Sequence, residues 1–239
     1  MARLSRLFLF TLIVITASAA QAQLRKPTPA EQKALDHYAA VMNKVLDQFQ
    51  SDDWDEHVDY TIDDDVSVAP NAGTPLDVNE LMQRSYNVRR GSARFNTKIM
   101  PLMQKLMQES DVSAKAKLGH QVQGLMHVRV DVHFNRTNIG DIAPPPPGNH
   151  GLQIPGAAFA YKINNDVPDP GTSAYLLAFG NWHPLKWDAE QGWYHFVFAH
   201  PQNTPFIENI EIRIHGADDR VQELLHAIDW NEVNQALTR

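Results

Sequence analysis

The stretch "MHVRVDVHFN", residues 126–135, decides the fold. Met126, Val128, Val130, Val132 and Phe134 alternate with His127, Arg129, Asp131, His133 and Asn135. That period of two sends successive side chains to opposite faces of a strand. With one face apolar and the other charged, the strand belongs in an antiparallel sheet covered mainly on one side.

Downstream, four further segments read as strands: "AAFAYKI" (157–163), "AYLLAFGNW" (174–182), "GWYHFVFA" (192–199) and "NIEIRIH" (209–215). The residues "DAEQG" before Trp193 read as a hairpin loop. Upstream, Thr28-Pro29-Ala30-Glu31 forms a capping box with proline at the first helical position. A stripe of Leu35, Tyr38, Met42, Val45, Leu46 and Phe49 follows it at three-four spacing. Asp77-Val78-Asn79-Glu80 offers a second box and predicts a shorter helix through Leu81, Met82 and Tyr86. A third helix is expected from about Ala93 to Glu109, kinked at Pro101. From Val122 onward the period turns from helical to alternating.

At the other end, Val221, Leu224, Leu225 and Ile228 form a helical stripe, and Asp229-Trp230-Asn231-Glu232 caps a last turn through Val233 and Leu237. Helices, then strands, then helices favour α+β over alternating α/β. The expectation is an antiparallel sheet of about five or six strands packed against N- and C-terminal helices. The proline run "APPPPGNHG" (143–151) reads as a stiff connection, and no internal repeat is visible.

The segment "MARLSRLFLFTLIVITASAAQAQ" has a basic start, an apolar run and small residues ending at Ala22, the layout of a secretory signal peptide. Its apolar run is shorter than the roughly 20 residues that span a bilayer. Residues 1–22 are therefore expected to be a signal peptide, and 23–239 a single α+β domain in the bacterial periplasm or secreted. No second segment reads as a membrane span. Of 239 residues, 28 are acidic and 21 basic, a formal net charge of −7. Such a balance argues against nucleic acid or anionic lipid as the main partner, since both need clustered Lys and Arg. With no cysteine, stability must come from burial rather than disulfides.

Four constellations could carry chemistry. The acidic run "SDDWDEHVDYTIDDDVSV" (51–68) lacks the sixth-position glycine and closing glutamate of a calcium loop. Its apolar residues fall on even positions, so it reads as a strand pair or one bulged strand with a solvated face. Asp131 and His133, two apart on one strand, project the same way about 6–7 Å apart and could share a zinc or copper ion. His195 or His215 would complete that site from a neighbouring strand. The bland alternative is a sheet surface on which Arg129, Asp131, Glu211 and Arg213 pair across strands.

Met100, Met103 and Met107 share one flank of the helix near Pro101, where they would line an adaptable groove or a core edge, or bind copper. Trp182 and Trp187 lie in an aromatic segment that packs a hairpin or lines a ligand pocket. Nucleophile elbow, phosphate loop, HExxH and dinucleotide motifs are all missing from the sequence. These features favour a non-catalytic binding domain for an envelope protein or a small apolar or amphipathic ligand, without a cofactor. The alternative is a zinc- or copper-dependent hydrolase.

Overall fold

The stripe that begins the chain's first helix finds its partners on a sheet. In the computed structural model, which describes residues 23–25, 28–50, 52–60, 66–68, 80–136, 138–139, 151–163, 173–180, 186–188, 193–195, 199 and 206–238, helix α1 spans Pro29–Asp47. The Thr28 carbonyl accepts from Gln32 N–H at 2.8 Å and closes the first turn. Leu35, Tyr38, Met42, Val45 and Leu46 are all buried.

They cover a six-stranded antiparallel sheet. Its strands are β1 (Trp54–Tyr60), β2 (Glu80–Val88), β3 (His127–Phe134), β4 (Ala157–Ile163), β5 (Ser173–Gly180) and β6 (Asn209–Gly216). The spatial order is β1-β2-β3-β6-β5-β4. The remaining helices are α2 (Met100–Gln108), α3 (Val112–Met126), α4 (Asp218–Ala227) and α5 (Trp230–Gln235). The chain is thus α+β, as its order of periodicities implies.

Register fixes the two faces of the sheet. Val132 lies opposite Ile212 and Met82, and Ile212 opposite Leu177. Directly opposed residues share a face, so one face carries Val128, Val130, Val132 and Phe134, Ile210, Ile212 and Ile214, and Tyr175, Leu177 and Phe179. All ten join the same buried cluster as residues of α1, α4 and α5. The helices therefore cover this face.

The structure corrects two expectations and refines a third, the helix expected from about Ala93 to Glu109, which is present. Leu81, Met82 and Tyr86, expected on a short helix, lie on the strand β2, Glu80–Val88. Its alternating core face, Met82, Arg84, Tyr86 and Val88, is interrupted by a buried arginine. Arg84 is tolerated there because Nη1 meets Asp47 Oδ1 at 2.7 Å and Nη2 donates to Asn43 Oδ1, both on α1. Second, the helix around Pro101 opens with a π-turn, Phe95–Ile99, in which Met100 N–H reaches Phe95 O. Pro101, which lacks an N–H, stands where α-helical geometry resumes. Third, α3 was not expected, and it holds Val122 and Met126. Small residues dilute its pattern, and the helix carries through Met126, with the strand beginning at His127 rather than near Val122.

The acidic run divides between two sheets. Trp54–Tyr60 pairs with β2, with a register shift between Val58 and Tyr60, while Val66–Val68 pairs with Gln23–Arg25. A bulge is present, but the two segments do not form a hairpin with each other. A separate three-stranded sheet joins Asn138–Ile139, Trp193–His195 and Lys186–Asp188. Its Lys186–Asp188 and Trp193–His195 strands are antiparallel, matching the expected hairpin around "DAEQG". No described helix is long and apolar enough to cross a membrane. Residues 1–22 and the proline run up to residue 150 lie outside the described residues.

Candidate functional site: an arginine-rich face of the central sheet

Odd-numbered residues of β3 and β6 point away from the helices and build a charged patch. Along one row His133 lies opposite Leu81 and Glu211, and Glu211 opposite Ala178. In the next row Asp131 lies opposite Gln83 and Arg213, and Arg213 opposite Leu176. A third row sets Arg129 beside Ser85 and His215, with Ala174 beyond. The face is polar over β2, β3 and β6 and turns apolar over β5 and β4. There Leu176 and Ala178 are fully buried, and the rings of Phe159 and Tyr161 stack at 6.1 Å.

Glu211 is the anchor of the polar half. Its side chain is 0% exposed, and Oε1 accepts from Arg213 Nε at 2.5 Å and from Arg136 Nη1 at 3.1 Å. Oε2 is buried and meets no hydrogen-bond donor among the described residues. A buried carboxylate of this kind is held by its cations rather than by solvent. The ion pairs run along strands more than across them: Glu211 with Arg213, and Asp131 with Arg129 at 3.4 Å, are both two residues apart.

Arg136 reaches the patch through a backbone device. Asn135 sits at φ 53°, in the left-handed region, which asparagine tolerates better than most residues. Its Nδ2 donates to Phe206 O at 2.7 Å, and its Oδ1 accepts from Glu208 N–H at 2.9 Å. Asn209 answers from β6, accepting from Arg136 N–H at 2.9 Å and donating to Arg136 O at 3.1 Å. Both asparagines are fully buried. Together they lock the end of β3 and turn Arg136 back over Glu211. Gly180 allows the same corner to close, because at its φ of 97° a Cβ would lie 2.1 Å from Glu208 O.

The two histidines are held neutral. Burial, then Arg136 and Arg213, pushes His133 down to about 3. Burial, then Arg129 and Arg213, pushes His215 down to about 4. Arg129 Nη2 donates to His215 Nε2 at 3.2 Å, a contact that requires an unprotonated ring nitrogen. The approach of His215 to Asp131 at 3.8 Å is therefore not an ion pair at neutral pH. With both histidines neutral, Arg129, Arg136 and Arg213 face Asp131 and Glu211, an excess of one positive charge among the described residues.

Of the residues expected to share a metal, Asp131, His133 and His215 lie on this one face. His195 belongs to the separate three-stranded sheet, and its side chain lies outside the described residues. Among the described residues no group of three or more His, Asp or Glu could hold a metal ion. Met100 and Met107 are 37% and 73% exposed, whereas Met103 is half-buried against the core. Trp187 pairs with Tyr194 in the smaller sheet, its side chain outside the described residues, as is all of Trp182.

Sequence reasoning named Arg129, Asp131, His133, Glu211, Arg213 and His215 but missed Arg136, whose position past the strand end carries no periodic signal. The buried, left-handed Asn135 beside it was the available cue, and it shows only in three dimensions. No protein-family model matches the chain, and no curated protein or solved structure matches it.

Proposed function

We propose that this chain is an exported, non-catalytic binding domain that takes a small amphipathic anion on the second face of its central sheet. The observation that carries the reading is the join between two surfaces on one face. Arg129, Arg136 and Arg213 supply the guanidinium groups, and the half-buried Phe159, backed by the covered Leu176, Ala178 and Tyr161, supplies the apolar ground beside them. A carboxylate or phosphate headgroup suits the fork geometry of arginine, and an apolar tail suits the β5–β4 half. Arg129 is 40% exposed and Arg136, Arg213 and His215 are 20–26% exposed, so solvent reaches the headgroup end. Both carboxylates are already bound to arginines and both histidines hold neutral, an arrangement that receives charge rather than moving protons.

Calorimetric titration with lauric acid and with dodecyl phosphate tests the reading. The protein should bind at least one of them, and Arg213→Gln should weaken that binding about tenfold, the loss of one charged hydrogen bond. Failure of the wild-type protein to bind either compound, or a stoichiometric zinc or copper ion lost on Asp131→Ala, would overturn it.

A further inference from the structure

Among the described residues the only exposed large apolar side chains are Met100, Met107 and Val112, and all three lie on the α2–α3 hairpin. Met107 is 73% and Val112 82% exposed, one on each side of the tip formed by residues 109–111. Helix α2 has no fully buried residue, although Leu102 and Met103 lean on the core. The same hairpin and the turn before it expose Arg90, Lys98, Lys105, Lys115 and Lys117, none of them in an ion pair among the described residues. Its acids are Glu109 and Asp111, whose carboxylates are engaged by backbone N–H groups of Ser110, Asp111 and Ala114. The chain's net charge of −7 thus conceals a basic, apolar-tipped projection.

We infer that the α2–α3 hairpin docks on an anionic lipid surface, with Met107 and Val112 entering the headgroup boundary and the lysines meeting lipid phosphates. A basic helical surface with protruding apolar side chains is the pattern of interfacial binding. The apolar residues stand exposed on the outside of a hairpin, which fits a fluid surface. Methionine, unbranched and flexible, adapts to such a boundary. The inference is independent of the ligand proposed for the sheet face.

Co-sedimentation of the full chain with vesicles decides it. Vesicles containing phosphatidylglycerol should bind about tenfold or more tightly than phosphatidylcholine alone, because each basic residue is attracted to such a surface. Added salt should weaken the binding. Replacing Lys98, Lys105, Lys115 and Lys117 together with glutamine should remove the preference for phosphatidylglycerol, and Met107→Ser with Val112→Ser should weaken binding several-fold. Equal binding to both vesicle types, or a quadruple variant that binds as the wild type does, overturns the inference. So does capture by soluble polyglutamate as tight as by vesicles, which would indicate an acidic protein partner. Should the quadruple variant melt early, the salt dependence of the wild type decides alone, and insensitivity to salt overturns the inference.

Discussion

At the scale of single residues, His133 and His215 tie the charged face to the pH dependence of the whole protein. Both are neutral when folded, with values of about 3 and about 4, and both return to about 6.5 when the chain unfolds. Between those values the unfolded chain binds more protons than the native one, so stability falls as pH drops below about 6.5 and levels off near the folded values. Each pH unit inside that window removes at most about 1.4 kcal/mol per histidine, less for His215, whose side chain is 26% exposed. Asp218 and Glu223, both held below the usual carboxylate range by Lys162 and Arg220 among others, add to the loss at still lower pH. Side-chain NMR should show His133 and His215 unprotonated at pH 5. A bound carboxylate or phosphate should raise both values, because an anion stabilises the imidazolium. Two histidines titrating near 6.5 would mean that solvent has fuller access to the face than its geometry allows.

At the scale of elements, what the sequence displayed and what it hid have the same cause. β3, β5 and β6 were legible because their apolar residues recur without interruption. β2 was not, because Arg84 occupies a core-facing position and is satisfied by Asp47 and Asn43 of a helix 37 and 41 residues away. Local pattern cannot announce a partner that distant. Adjacent Leu81 and Met82 then resembled a helical stripe, although they are consecutive residues of a strand. Helix α3 failed for a different reason: Ser113, Ala114, Ala116 and Gly119 give it little amphipathic contrast, and its one clear signal is a cap. Asp111 accepts from Ala114 N–H at 2.8 Å, so Asp111→Ala should destabilise the hairpin by about 1 kcal/mol. Asp111→Asn should retain most of the cap. Faster hydrogen exchange along the first turns of α3, with little change in β3, would show that the hairpin opens as a local unit.

At the scale of the molecule, residues far apart in sequence close one core. Tyr38 of α1 accepts from Phe206 N–H at 3.1 Å, and Gln48 accepts from Asp229 N–H at 3.1 Å. Lys44 meets Glu232 at 2.5 Å, and Thr238 exchanges two hydrogen bonds with Ile207, at 2.7 and 2.8 Å. Trp230 seals this seam. It is 5% exposed, stacks on Phe179 of β5 at 5.5 Å, and donates from Nε1 to Leu225 O at 3.0 Å. Its truncation removes a ring from between a helix and the sheet, a change worth about 3–5 kcal/mol. That is a large part of the roughly 5–15 kcal/mol that holds a typical domain together. If the two ends share one core, urea should unfold helix and tertiary structure in one transition, and Trp230→Ala should move both probes together to lower urea. Far-ultraviolet circular dichroism and near-ultraviolet aromatic signals report the two. Should the variant lose its aromatic signal while the helical signal keeps the wild-type midpoint, α5 would be an appendage and the core would close without it.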